Sequence, residues 1–126
     1  MRNKTAIAIV AAACAFGLCG CGDDEQHTAE VTTGGNAQRG AATIARYGCG
    51  SCHTIPGISG AQGLVGPPLS GIGNRIYIAG VLQNTPGNMV RWIKNPKAVD
   101  EKTLMPDLGV TETEARDIAG YLYTLK

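Results

Sequence analysis

Cys49-Gly50-Ser51-Cys52-His53 is the stretch on which the reading of this chain turns. Two thiols three residues apart, followed at once by an imidazole, supply what covalent haem attachment requires. Each cysteine can form a thioether with a haem vinyl group, and the next residue then falls beneath the iron as axial ligand. The small Gly50 and Ser51 let the backbone pass close to the porphyrin. Two other uses of paired cysteines compete with this one. A structural zinc site needs four ligands, often completed by a second Cys-x-x-Cys or a pair of histidines, and no Cys or His follows His53. A thioredoxin-like dithiol belongs in an alternating strand and helix pattern and needs no adjoining His. The motif favours one covalently bound haem c, with its iron, per chain.

Working outward toward the N-terminus, Arg2 and Lys4 precede an apolar run from Thr5 to Leu18. That run is too short to span a bilayer comfortably and has the shape of a secretory signal, expected to occupy residues 1–20 and to be cleaved. Leu18-Cys19-Gly20-Cys21 resembles the lipobox of bacterial lipoproteins, which implies cleavage before Cys21 and lipidation of Cys21. Ordinary cleavage with Cys21 left as a spare thiol is the alternative. On the lipoprotein reading all five cysteines are used: Cys14 and Cys19 leave with the signal, Cys21 carries lipid, and Cys49 and Cys52 hold haem, so no structural disulfide is expected. Several acyl chains on one residue anchor a protein stably where one chain binds only marginally. The folded part is then exported, on the periplasmic or extracytoplasmic face of a bacterial membrane.

Residues 21–35 are polar, with Asp23, Asp24, Glu25 and Glu30 followed by Thr32-Thr33-Gly34-Gly35, and read as a flexible tether behind the lipidated cysteine. His27 within it reads as a solvated side chain. Residues 36–126 form one small domain without any Phe, because Phe16 lies in the signal. A domain of roughly 90 residues buries a limited share of its surface, so an apolar prosthetic group would supply missing core. Three helices are expected. The first runs over about 37–47, with Asn36 as N-cap and Gly48 as its stop. The second starts at Thr85-Pro86, carries Met89, Trp92 and Ile93 on one side, and ends before Pro96. The third opens on the capping box of Thr111 and Glu114 and presents Ile118, Tyr121, Leu122 and Leu125 as a stripe. No segment alternates well enough to read as a strand. The fold class is all-α, three main helices and their loops wrapped around the haem.

Taken together, the first helix, Cys49-Gly50-Ser51-Cys52-His53, Gly66-Pro67-Pro68-Leu69, the Trp92 helix, Leu104-Met105-Pro106 and the last helix resemble a class I cytochrome c across residues 36–126. The stretches from Ala79 to Ile93 and from Leu104 to Gly109 look like cytochrome domains attached to, or serving, haem-copper terminal oxidases. The resemblance implies the cytochrome c fold and Met105 as sixth iron ligand opposite His53. A soft thioether facing an imidazole favours ferrous iron, hence a relatively high potential. It further implies that the Pro67 carbonyl accepts the His53 ring N–H, that Arg75 and Thr103 lie near haem propionates, that Trp92 packs close to the haem, and that Gly40 and Tyr121 meet where the first and last helices cross. Met89 reads as core. Where such chains often carry Pro-Gly-Thr before the ligand loop, this one has Glu101-Lys102-Thr103, which leaves that loop freer.

The formal net charge of +1 hides a segregation. All ten acidic residues lie between Asp23 and Glu30 or from Asp100 onward, while Arg39, Arg46, Arg75, Arg91, Lys94 and Lys97 occupy an acid-free middle. Bases rimming a haem edge would steer docking to an acidic partner; an ordinary solvated face is the alternative. Nucleic acid does not suit an exported chain of this charge. The expectation is an electron carrier of a respiratory chain, not an enzyme by itself, working between a quinol-oxidising complex and a terminal oxidase. A haem subunit of a larger oxidoreductase, or a haem-based redox or gas sensor in which Met105 yields to a ligand, stands as the alternative.

Overall fold

The computed structural model of the chain describes residues 22–126. The expected signal segment and Cys21 lie outside the described residues. Helices α1 (Gly22–Thr33), α2 (Ala37–Arg46), α3 (Pro86–Lys94) and α4 (Glu112–Leu122) carry the architecture, joined by loops with short 3-10 turns at Cys49–Ser51, Ile72–Asn74 and Pro96–Ala98. No helix among the described residues is long and apolar enough to cross a membrane.

Each of the three expected helices begins at the cap its sequence specifies. The Asn36 side chain accepts from the Arg39 N–H at 2.9 Å, and Gly48, at φ 69°, follows the end of α2 in the left-handed region. Thr85 caps α3 by accepting from the Asn88 N–H, with Pro86 at the first helical position. At α4 the box is reciprocal: the Glu114 N–H donates to the Thr111 hydroxyl, and the Glu114 carboxylate accepts from the Thr111 N–H at 3.0 Å. The apolar faces of α2, α3 and α4 meet in one core containing Ile44, Met89, Trp92, Ile93, Ile118 and Leu122. Helix α2 crosses α4 at Gly40, where an added Cβ would stand 2.0 Å from the Asp117 carbonyl oxygen and 3.0 Å from Tyr121 Cβ. Two helix backbones reach that separation only where one of them has no side chain.

Two features depart from the sequence reading. A two-residue antiparallel hairpin pairs Tyr77 with Gln83 and Ile78 with Leu82, too short for any alternation to register. More consequentially, the stretch expected to be a flexible tether over residues 21–35 is helical from Gly22 to Thr33 and packs on α4. Its contact stripe is made of small residues, Ala29 and Thr33, both buried. Glu30 then accepts from Asn36 Nδ2 at 2.9 Å and from the Ala37 N–H at 3.0 Å, placing a carboxylate at the N-terminus of α2. Within the expected tether, Gly35 serves close packing instead: a Cβ on it would lie 1.9 Å from the Arg116 carbonyl oxygen of α4.

Charge segregation along the chain becomes pairing in space. Asp117 of α4 accepts from Arg39 at 2.8 and 2.9 Å and from the Asn36 N–H at 2.7 Å. Burial opposes its ionisation, but the guanidinium and the amide together hold its carboxyl below the usual range. Glu114 pairs with Arg46 at 2.6 Å, and Glu112 with Lys94 at 2.8 Å. Thus three of the middle-segment bases fasten α2 and α3 to α4.

Candidate haem-binding site

Helix α2 delivers the chain at Gly48 directly into the turn Cys49–Ser51, where the Cys52 and His53 N–H groups both donate to the Cys49 carbonyl, at 3.2 and 3.0 Å. One tight turn therefore gathers Cys49, Cys52 and His53. The following loop folds back over it and is stitched down by Gly63 N–H to Gly50 O at 3.0 Å, Gly66 N–H to Cys52 O at 2.8 Å and Leu69 N–H to Thr54 O at 2.9 Å. That stitching places the Pro67 carbonyl oxygen 2.7 Å from His53 Nδ1. A carbonyl only accepts, so the imidazole proton resides on Nδ1 and the Nε2 lone pair is left for a metal.

Gly66 fits against the face of that ring so closely that an added Cβ would lie 2.3 Å from His53 Cε1. The sequence alone assigns Gly66 no role beyond membership of the Gly-Pro-Pro-Leu segment; its position directly before the proline that holds His53 is the signal that marks it. Both thiols of the motif are free and half-buried. Burial pushes the Cys49 thiol up, away from the thiolate character that a dithiol exchange site depends on. Among the described residues no group of three or more His, Cys, Asp or Glu side chains converges as a metal nest.

Met105 lies on the loop between the Pro96–Ala98 turn and α4, half-buried and, like Tyr47, Cys49 and Leu69, packed against the core cluster. Its N–H donates to the Thr103 hydroxyl at 3.2 Å. The Glu101-Lys102-Thr103 stretch closes as a turn, with the Thr103 N–H donating to Asp100 O at 3.1 Å and the Lys102 N–H to the Asp100 carboxylate at 3.0 Å. Trp92 and Met89 are buried in the core. Arg75 reaches back to the proximal loop, its Nη2 donating to Pro68 O at 2.6 Å and Ser70 O at 3.0 Å.

These residues fit a haem. Two thiols and an imidazole with a free Nε2 occupy one turn, a thioether stands at the edge of the same core, and an exposed leucine lies close in sequence to each: Leu64 is 90% exposed two residues before Gly66, and Leu104 is 85% exposed next to Met105.

Comparison with known proteins agrees. Residues 37–126 match the family described as Cytochrome c. The chain is 30% identical over 91 residues to a protein of Alkalihalophilus pseudofirmus described as cytochrome c oxidase subunit 2, an overlap that takes in 71% of this chain and 26% of that one. The chain thus spans about a quarter of the length of the curated relative it matches. No solved structure matches the chain significantly.

Proposed function

The chain belongs to the cytochrome c family, and from that premise we propose that it carries single electrons in a respiratory chain, from a quinol-oxidising complex to a terminal oxidase. Family membership makes it an electron-transfer protein with one haem c held covalently by Cys49 and Cys52. When bound, the haem supplies a one-electron couple at its iron. In this reading His53, oriented by the Pro67 carbonyl, and Met105 would hold the iron, and the protein would carry electrons without being an enzyme by itself. Gly66 against the face of the ring and the packing of half-buried Met105 on the core would limit rearrangement between oxidation states.

The observation that carries the oxidase assignment is the likeness of this domain to part of a cytochrome c oxidase subunit 2. It equally favours a second reading, a haem subunit held permanently in an oxidase, and co-purification after detergent extraction separates the two. Lipid on Cys21 would anchor the protein at the exported face of a bacterial membrane. Because α1 starts at Gly22 and packs on the domain, such an anchor would hold the domain near the bilayer instead of on a long leash.

The decisive experiment compares visible spectra of the oxidised and reduced protein, matured in a host competent for haem attachment, with those of Met105→Ala. Covalent low-spin haem in the parent and a perturbed spectrum in the variant are expected. An unchanged variant removes Met105 from the iron, and carbon monoxide binding to the reduced parent would favour a gas sensor.

A further inference from the structure

We infer that Asn84 is a positioning residue for the axial histidine, working through Arg75 and locked by Tyr123. The inference rests on the reading of His53 as an iron ligand. Asn84 lies between the β-hairpin and α3, outside the haem motif and outside the ligand loop. Its Nδ2 donates at 2.8 Å to two carbonyls, Ile72 O and Arg75 O, and its Oδ1 accepts from the Tyr123 hydroxyl at 2.7 Å. The amide cannot be turned over, because the flipped form would aim its oxygen at two carbonyl oxygens. Tyr123 follows the end of α4, and the same helix end holds the 72–75 segment a second time through Gly73 N–H to Leu125 O at 2.9 Å. Asn84 thus pins the backbone of residues 72–75 to the C-terminal end of α4.

From that fixed base the Arg75 side chain extends to Pro68 O and Ser70 O, two of the three carbonyls that follow Pro67 in the proximal loop. Pro67 O in turn takes the His53 Nδ1 proton. Four links, Tyr123 to Asn84 to Arg75 to the Pro67–Ser70 loop to His53, therefore connect the last helix to the imidazole. A hydrogen bond at Nδ1 raises the ligand's basicity and favours ferric iron, so its geometry bears on the reduction potential. Arg75 accordingly acts on the haem through the loop, a role separate from any charge it presents to a propionate.

The test measures, on the haem-loaded protein, the exchange rate of the His53 Nδ1 proton in the reduced state by NMR together with the midpoint potential. Asn84→Ala and Arg75→Gln are expected to speed that exchange about 2- to 10-fold, the factor that a lost hydrogen bond of ordinary net strength allows, and to raise the potential. Tyr123→Phe is expected to shift both in the same direction by less, and to report on the link if Asn84→Ala does not fold. Arg75→Lys, whose single nitrogen can serve both carbonyls as the one Nη2 does, is expected to restore the parent values. Arg91→Gln, outside the network, serves as control. Unchanged exchange and potential in Asn84→Ala and Tyr123→Phe overturn the inference, and a shift in Arg75→Gln alone does so too, since Arg75 would then act by its own charge. Parent protein without histidine-ligated haem is a different outcome, and removes the underlying assignment instead.

Discussion

Gly66→Ala is the smallest change that tests whether the proximal loop sets the histidine. The new Cβ would lie 2.3 Å from His53 Cε1 and 2.7 Å from Nδ1. Carbon atoms rest about 3.5–4.0 Å apart, so the ring must retreat by more than about 1 Å. Such a retreat breaks the 2.7 Å contact between Nδ1 and Pro67 O. Overpacking of this kind costs about 1–3 kcal/mol, and the lost hydrogen bond adds about 1 kcal/mol. At about 4–8 °C per kcal/mol for a domain of this size, the melting temperature of the haem-loaded protein should fall by roughly 8–32 °C. A potential raised above that of the parent should accompany it, because a freed Nδ1–H leaves the imidazole a poorer donor to ferric iron. Thermal denaturation and a redox titration measure the two effects. A variant that melts within a few degrees of the parent, with an unaltered spectrum and potential, would refute the claim that the loop seats the ring.

Gly40→Ala drives a Cβ to 2.0 Å from the Asp117 carbonyl oxygen and must part α2 from α4; the overpacking, less about 1 kcal/mol of helix propensity regained, should leave the domain up to about 2 kcal/mol less stable by denaturant titration. Gly35→Ala separates a packed α1 from a free tether: a Cβ 1.9 Å from Arg116 O should detach the helix and expose residues 22–33 to limited proteolysis, whereas a tether would tolerate the change. Glu114 titrates at about 2, held down by the Thr111 hydroxyl and N–H and by the Tyr47 hydroxyl. Because its folded pKa lies below the unfolded value, its contribution is present above about pH 4.5 and is lost as the pH falls toward 2. Melting curves across that window should therefore drop, and the drop should flatten in Glu114→Gln.

What was legible in the sequence was whatever is local. Asn36, Thr85 with Pro86, and Thr111 with Glu114 each act within a few residues of themselves, so the starts of α2, α3 and α4 follow from their side-chain chemistry. The haem motif is equally local, since one turn joins Cys49, Cys52 and His53. Helix α1 was not legible because its partner is distant. Ala29 and Thr33 make a stripe too small and too polar to register as a core face, and only the nearness of α4, which Gly35 permits, turns it into one. Asn84 escaped for the same reason, with partners twelve, nine and thirty-nine residues away. The resemblance supplied Pro67, Arg75 and Met105, which spacing alone does not single out.

The charge pattern shows how the same separation changes a functional argument. Read along the chain, an acid-free middle suggests a basic docking face. In the fold, Arg39, Arg46 and Lys94 are matched to Asp117, Glu114 and Glu112, the carboxylates of a single helix. Arg75 is turned onto the proximal loop. Of the six middle bases, Arg91 and Lys97 alone have neither an ion pair among the described residues nor a role in that loop, although Lys97 approaches Thr103 O at 3.4 Å. A field made by two side chains is screened within about 8–10 Å at physiological ionic strength, so steering by these bases contributes little to finding a partner. The exposed leucines close in sequence to Gly66 and Met105 point instead to contact made where the haem edge would lie, with charge spent mainly on holding α2 and α3 against α4.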